Sequence, residues 1–190
     1  MSMLLIHRDD DAGLLEPPIR DATRIAAVLE TIGIRFERWP ANRALEEGAT
    51  PNSVLAAYAD DVARLQRAHG YRSADVVRIA RGTLDTAPMR AKFLSEHRHA
   101  EDEVRFFVEG AGSFYLHVDG RVFHMLCEHD DLLGVPAGTR HWFDMGTAPH
   151  FCAIRLFTNP SGWVAEFTGD PIATRFPTHD DALAQRAKLS

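Results

Sequence analysis

The chain of 190 residues is poor in cysteine: Cys127 and Cys152 are the only two. Two widely spaced thiols make neither a disulfide framework nor a zinc motif, and they fit free thiols in a reducing compartment. Also missing is any apolar run near the roughly 20 residues that a membrane-spanning helix needs. The opening stretch, "MSMLLIHRDDD", passes from a few apolar residues straight into acids. It lacks the basic leader and long apolar middle of a secretion signal, so a cytoplasmic protein with no membrane partner is expected. Positive charge is not massed anywhere. There are 21 Lys and Arg against 27 Asp and Glu, for a net charge of -6. Scattered basic residues argue against nucleic acid as a partner. No internal repeat, low-complexity segment, coiled-coil pattern or long apolar edge is present, and a monomer is expected. What is there is an ordinary globular composition, 45% hydrophobic and 25% charged. The length suits a single domain over residues 1–190.

The pattern changes near residue 85. Residues 1–84 read as a mostly helical front. In "DATRIAAVLETIG", Asp21 is placed to cap a helix, Ile25, Val28, Leu29 and Ile32 recur at helical spacing, and Gly33 sits at its end. "TPNSVLAAYADDVARLQRAHG" reads as a second helix ending at Gly70. "SADVVRIA" is a third segment, helical or extended. Residues 85–170 read as short strands and tight turns. Apolar residues alternate through "RFFVEGAGSFYLHVDGRVFHML", and Asp119-Gly120 is a strong hairpin signal. "DDLLGVPAG", "RHWFDMG" and "HFCAIRLF" continue the pattern, which points to a mainly β sandwich or barrel. Residues 171–190 form a tail, a short helix or disordered.

The densest chemistry lies in "SEHRHAEDE", residues 95–103. His97 and His99 are two apart, so on a strand they share a face, and Glu103 has the same parity. Two imidazoles and a carboxylate on one face suit a divalent transition metal. His-x-His is also common on solvated loops, so a fourth ligand matters. "PAGTRHWF" supplies one in His141, on a strand that follows the corner made by Pro136 and Gly138.

Together these stretches read H-x-H-x3-E-x6-G, ending at Gly110, then P-x-G-x2-H. That pairing resembles the two signature motifs of the cupin superfamily. The resemblance implies a cupin-type antiparallel β-barrel (jelly roll) with an N-terminal helical extension. It also implies a metal held by His97, His99, Glu103 and His141. Such a set leaves about two positions of an octahedral site open, where a structural zinc site would be closed. Two departures stand out: Asp130 where the second motif usually has glycine before the buried strand, and Met145 where asparagine usually follows the histidine. Within the cupins, "EDEVRFFVEGAGSFYLHV", "LLGVPAGTRHWFDMG" and "IRLFTNPSGWVAEF" are similar to the acireductone dioxygenase family, over roughly residues 85–170. The run Asp102–Arg105, the run Arg155–Phe157 and Trp163 are the more discriminating features.

This resemblance implies a methionine-salvage enzyme that binds one Fe2+ or Ni2+ per chain. Its partners are then a small acireductone, 1,2-dihydroxy-3-keto-5-methylthiopentene, and O2. Iron would direct cleavage to formate and 2-keto-4-methylthiobutyrate; nickel, to formate, carbon monoxide and 3-methylthiopropionate. Arg105, two residues past Glu103, is the expected catalytic cation for an anionic substrate. Its bland alternative is a surface ion pair with Glu101 or Asp102. Arg155 is a second candidate for the same task. Phe106, Phe143 and Trp163 are expected to wall the pocket around the methylthio tail, or else to be ordinary core. His117 and His124 are expected to be exposed on a hairpin, and His129, His150 and His179 to lie in polar contexts. Glu101 shares the parity of the ligands and is a candidate spare oxygen ligand, against the alternative of a flanking surface acid. Two alternatives remain open: another metallo-cupin enzyme (decarboxylase or isomerase), and a non-catalytic small-molecule-binding cupin.

Overall fold

The computed structural model describes residues 1–159 and 164–189. The first strands are β1 (Met3–Arg8) and β2 (Asp11–Leu14), followed by helix α1 (Ala22–Glu30) and β3 (Arg35–Arg38). Two helices, α2 (Pro51–Ala57) and α3 (Ala59–His69), precede β4 (Ser73–Ile79) and α4 (Ala87–Phe93). Then come β5 (His97–Arg98), β6 (Glu103–Val118), β7 (Arg121–Glu128), β8 (Asp131–Val135), β9 (Arg140–Asp144) and β10 (Phe151–Phe157). β11 (Glu166–Phe167), a 3-10 turn at Pro171–Arg175 and α5 (His179–Lys188) complete the described chain.

The expected helices form for the expected local reasons. The Asp21 side chain accepts from the Arg24 backbone N–H at 2.8 Å, and Ile25 and Leu29 are the buried face of α1. The span read as one helix from Pro51 to Gly70 is two. Tyr58 breaks it with φ -109 and ψ 23, and Asp60 and Asp61 then sit in the first turn of α3, where acids favour a helix start. Gly70 closes α3 in the left-handed conformation at φ +73. The tail is a helix, held by a capping box between Thr178 and Asp181.

The front carries helices α1 to α3, and residues 1–84 also supply four strands, of which the sequence reading allowed for β4 alone. β1 runs antiparallel to β7, β3 to β8, and β4 to β10. "MLLI" in β1 is a short apolar run with neither helical nor strand period, so only pairing with β7 decides its state. Front and strand-rich part thus share the same sheets.

β6 organises those sheets. Its first half pairs with β8 and β10, and its second half with β7 and β9. The strand turns from one sheet into the other at Gly110. There φ is +65, and a Cβ would lie 1.9 Å from the His150 carbonyl oxygen, so no other residue fits. Asp119 and Gly120, both at positive φ, close the β6–β7 hairpin as expected. The result is the mainly β, antiparallel cupin architecture. The hydrogen-bonded ladder does not close into a ring, however: two sheets share β6, and β2 is a wholly exposed edge.

Phe107, Phe114, Phe123, Phe143 and Phe151 belong to the largest core cluster. A second cluster joins Val54, Tyr58 and Leu65 of the front helices to Phe106 and Ile154. Ala182 of α5 packs on Met3, Leu5 and Leu126. Cys127 and Cys152 are free and buried in separate clusters, and burial pushes the Cys152 thiol up to about 12. Among the described residues no helix is long and apolar enough to cross a membrane.

Candidate metal centre

His97 and His141 are direct cross-strand partners between β5 and β9. His99 and Glu103 flank the turn between β5 and β6. The two sequence motifs are stitched together at the corner "PAGT". Gly138, at φ +77, donates its N–H to the His99 carbonyl at 2.8 Å. The Asp102 carboxylate accepts from the Ala137 N–H at 2.8 Å. The corner therefore fixes His141 relative to the first motif. Asp130 is equally telling. It stands where the related motif has glycine, and it adopts the left-handed conformation (φ +79) that glycine would supply. Asp tolerates that region better than most residues. Its carboxylate accepts from the Ala41 N–H at 2.7 Å and from Arg38 at 3.2 Å. Met145 is simply buried in the main core.

The three imidazoles converge. Ring centroids lie 4.5 Å apart for His97–His141, 5.2 Å for His97–His99 and 5.3 Å for His99–His141. One ring nitrogen from each can be taken such that all three lie within 4.8 Å of one another. The backbone sets the tautomers. Nδ1 of His97 meets the Ser95 carbonyl at 2.7 Å, that of His99 the Val164 carbonyl at 3.0 Å, and that of His141 the Thr139 carbonyl at 2.8 Å. A carbonyl only accepts, so each Nδ1 carries the proton and each Nε2 lone pair is free. Such orienting hydrogen bonds are what metal-ligating histidines ordinarily have.

Glu103 completes the ring. Its carboxylate oxygens lie 3.4 Å from His99 Nε2 and 3.7 Å from His141 Nε2. Burial alone would raise its pKa. Arg105 above all, with His141, His99 and Arg155 around it, outweighs burial and holds it at about 2. Burial lowers His97, and it lowers His141 to about 4, so both are neutral near pH 7. Both Glu103 oxygens and His141 Nε2 are buried without a hydrogen-bond partner. Orphaned buried acceptors of this kind are costly, and a divalent cation among them satisfies all of them at once. The donor set of neutral imidazoles and one carboxylate fits such an ion.

The histidines open onto a cavity of about 730 Å³. Arg105, Phe143 and Arg155 line it. Arg105 is buried beside Glu103 at 3.6 Å and is no surface partner of Glu101 or Asp102. Phe106 does not reach the cavity. Strand alternation sends it to the opposite face of the sheet, edge-on to Tyr58 at 5.6 Å and to Trp39 at 6.1 Å. Trp163 lies outside the described residues. The sequence reading missed Val77, Met89, Lys92, Phe93 and Phe167, which also line the cavity. Three of these sit on α4, a seven-residue helix with no buried position and hence no periodic signal.

Several other expectations change. His117 and His124 are buried, not exposed. His117 Nδ1 pairs with Glu96 at 2.6 Å. His124 stacks on Tyr115 at 4.0 Å between centroids, and both its ring nitrogens are without a hydrogen-bond partner. His179 is also buried, against Ser113 at 3.0 Å. Glu101 accepts from Thr158 at 2.5 Å.

Comparison with known proteins identifies the family. The model of the ARD/ARD' family matches residues 3–165. A curated acireductone dioxygenase of Parvibaculum lavamentivorans is 58% identical over 177 residues, covering 93% of this chain and 96% of the relative. One from Pseudomonas aeruginosa is 52% identical over 184 residues, covering 95% of this chain and all of the relative. Among solved structures, an acireductone dioxygenase from Bacillus anthracis, with a cadmium ion in its active centre, superimposes with a TM-score of 0.74. It is 28% identical and covers 88% of this chain and 98% of its own.

Proposed function

The chain belongs to the ARD/ARD' family, the acireductone dioxygenases, and from that premise we propose that His97, His99, Glu103 and His141 hold one Fe2+ or Ni2+ per chain for cleavage of 1,2-dihydroxy-3-keto-5-methylthiopentene by O2. The observation that carries the assignment is the set of buried, unpartnered acceptors aimed at one another, with every Nδ1 tied to a carbonyl. When bound, the ion supplies Lewis-acid polarisation and a template for two substrate oxygens. Within the family this reaction serves methionine salvage, and we assign this chain the same place.

The chain's own residues do the rest. Arg105 is a buried cation with an unpartnered Nε at the cavity wall, so it can receive the charge of an enediolate oxygen. Phe143 and Phe93 meet edge to face at 6.1 Å and form an apolar wall. Together with Met89 they suit a methylthio tail, since sulfur packs well on aromatic edges. Trp163 is retained as a substrate-wall candidate. Lys92 lines the same cavity and adds positive charge that favours entry of an anion.

The metal decides the product set in this reading. Iron-loaded protein yields formate and 2-keto-4-methylthiobutyrate, and nickel-loaded protein yields formate, carbon monoxide and 3-methylthiopropionate. The test is aerobic incubation of metal-free, iron-loaded and nickel-loaded protein with the enediol, following its ultraviolet absorbance, oxygen uptake and products. Enediol loss without oxygen uptake would point to a decarboxylase or isomerase. Metal retention with no turnover would point to a binding protein.

A further inference from the structure

Three neighbouring strands set a row of charges beside the cavity, whose wall holds the two arginines of the row. In register, Asp75 of β4 faces Arg155 of β10, and Arg155 faces Arg105 of β6. Glu103 lies two residues before Arg105 and so shares its face. The row therefore runs acid, cation, cation, acid. Two guanidiniums side by side on one sheet face repel each other, and the structure restrains them differently. Arg155 is gripped by a fork: its Nε and Nη2 donate to the two Asp75 oxygens at 2.7 and 2.5 Å. Among the described residues the Arg105 side chain makes no hydrogen bond: Glu103 lies 3.6 Å from its unpartnered Nε, and the Phe114 and Phe143 rings face its guanidinium at 5.5 and 5.8 Å. Glu103 lies two residues along β6 from the cross-strand partner of Arg155, and its oxygens lack hydrogen bonds, so a guanidinium released from its fork has that carboxylate to turn to.

We propose that Asp75 is a positioning residue that holds Arg155 back from Glu103, keeping that carboxylate free for a metal ion and the remaining Arg155 nitrogen free for an anionic substrate. The proposal rests on the metal and substrate reading above. Asp75 touches neither metal nor substrate; it acts through Arg155. No spacing rule in the sequence links residue 75 to the metal motifs. The link appears only when β4 pairs with β10.

The test has two readouts. In the first, metal-free protein is titrated with Ni2+. Asp75→Asn is expected to weaken Ni2+ binding about 3- to 10-fold, the range for a lost forked, half-exposed pair. Asp75→Glu is expected to restore it to within about twofold. The double variant Asp75→Asn with Arg155→Ala is expected to regain Ni2+ affinity, because the competing cation is gone. In the second, steady-state turnover of the enediol by Asp75→Asn is expected to show KM raised about 3- to 10-fold with kcat changed less than about twofold, which is the signature of lost uniform binding. Unchanged Ni2+ affinity and KM in Asp75→Asn would overturn the proposal. So would a double variant that binds Ni2+ as poorly as Asp75→Asn, since the loss would then be a general structural effect. If Asp75→Asn does not fold, Arg155→Lys keeps the charge but loses the fork; it is expected to bind Ni2+ more weakly, and unchanged affinity there overturns the proposal. Absence of enediol turnover in the unaltered protein would defeat the proposed reaction, while the Ni2+ titrations would still decide the role of Asp75.

Discussion

Replacing Glu103 by Gln isolates the charge at the centre of the site. The isostere keeps shape and burial but leaves Arg105, itself buried, without its adjacent counter-charge. Two routes give the size of the effect on metal-free protein. The carboxyl falls from an ordinary 4.5 to about 2 in the fold, which at 1.36 kcal/mol per pKa step is about 3 kcal/mol favouring the ionised form. Independently, removing one partner of a buried ion pair costs about 3–5 kcal/mol. For a chain of this size, each kcal/mol moves the melting temperature by about 2–4 °C. A loss of about 3 kcal/mol therefore means a fall of about 6–12 °C in Glu103→Gln. The folded pKa lies below the unfolded one, so this stability is present above pH 4.5 and is lost as pH falls toward 2. The gap between the two proteins should narrow over that window. Denaturant unfolding of both metal-free proteins at pH 7 and pH 4 is the assay. A variant within about 0.5 kcal/mol of the parent at pH 7, a margin typical of surface changes, would refute the electrostatic account of Glu103.

Other consequences can be checked as directly. Gly110→Ala places a Cβ 1.9 Å from the His150 carbonyl at positive φ; it should destabilise by more than about 3 kcal/mol or prevent folding, read by soluble yield and denaturant midpoint. His124 is buried with its pKa well below 6.5, so the unfolded chain binds the proton and stability falls as pH drops below 6.5. His124→Phe should remove about 1.4 kcal/mol per pH unit from that slope, and an unchanged slope between pH 6.5 and 5 would contradict the buried neutral ring. His117→Ala breaks the 2.6 Å contact with Glu96 and should cost about 1–3 kcal/mol while leaving the metal content of purified protein unchanged.

Much of the site was legible because its chemistry is local. His97, His99 and Glu103 lie within seven residues, and Pro136, Gly138 and His141 within six. Each motif carries its own turn, and the cupin resemblance implied that the two converge. Arg105 was legible by strand parity. Phe106 failed by the same rule: its neighbour faces the cavity, so it must face away, beneath α2 and α3. The buried histidines 117 and 124 escaped because a hairpin signal says where the chain turns but not what covers it. Glu96 meets one, and Tyr115 stacks on the other. The strands of the front were hidden for a related reason. A four-residue apolar run such as that in β1 has no period to read, and only β7 beside it makes it a strand. Asp75 is the extreme case, since its partner is 80 residues away in sequence.

The central claim, that three imidazoles and Glu103 enclose a single divalent ion, is tested most directly by titrating metal-free protein with Ni2+ and reading stoichiometry by calorimetry. The account predicts one ion per chain for the parent, and no measurable binding at the same concentrations for His97→Ala, His99→Ala or His141→Ala. Full binding by His141→Ala would contradict it.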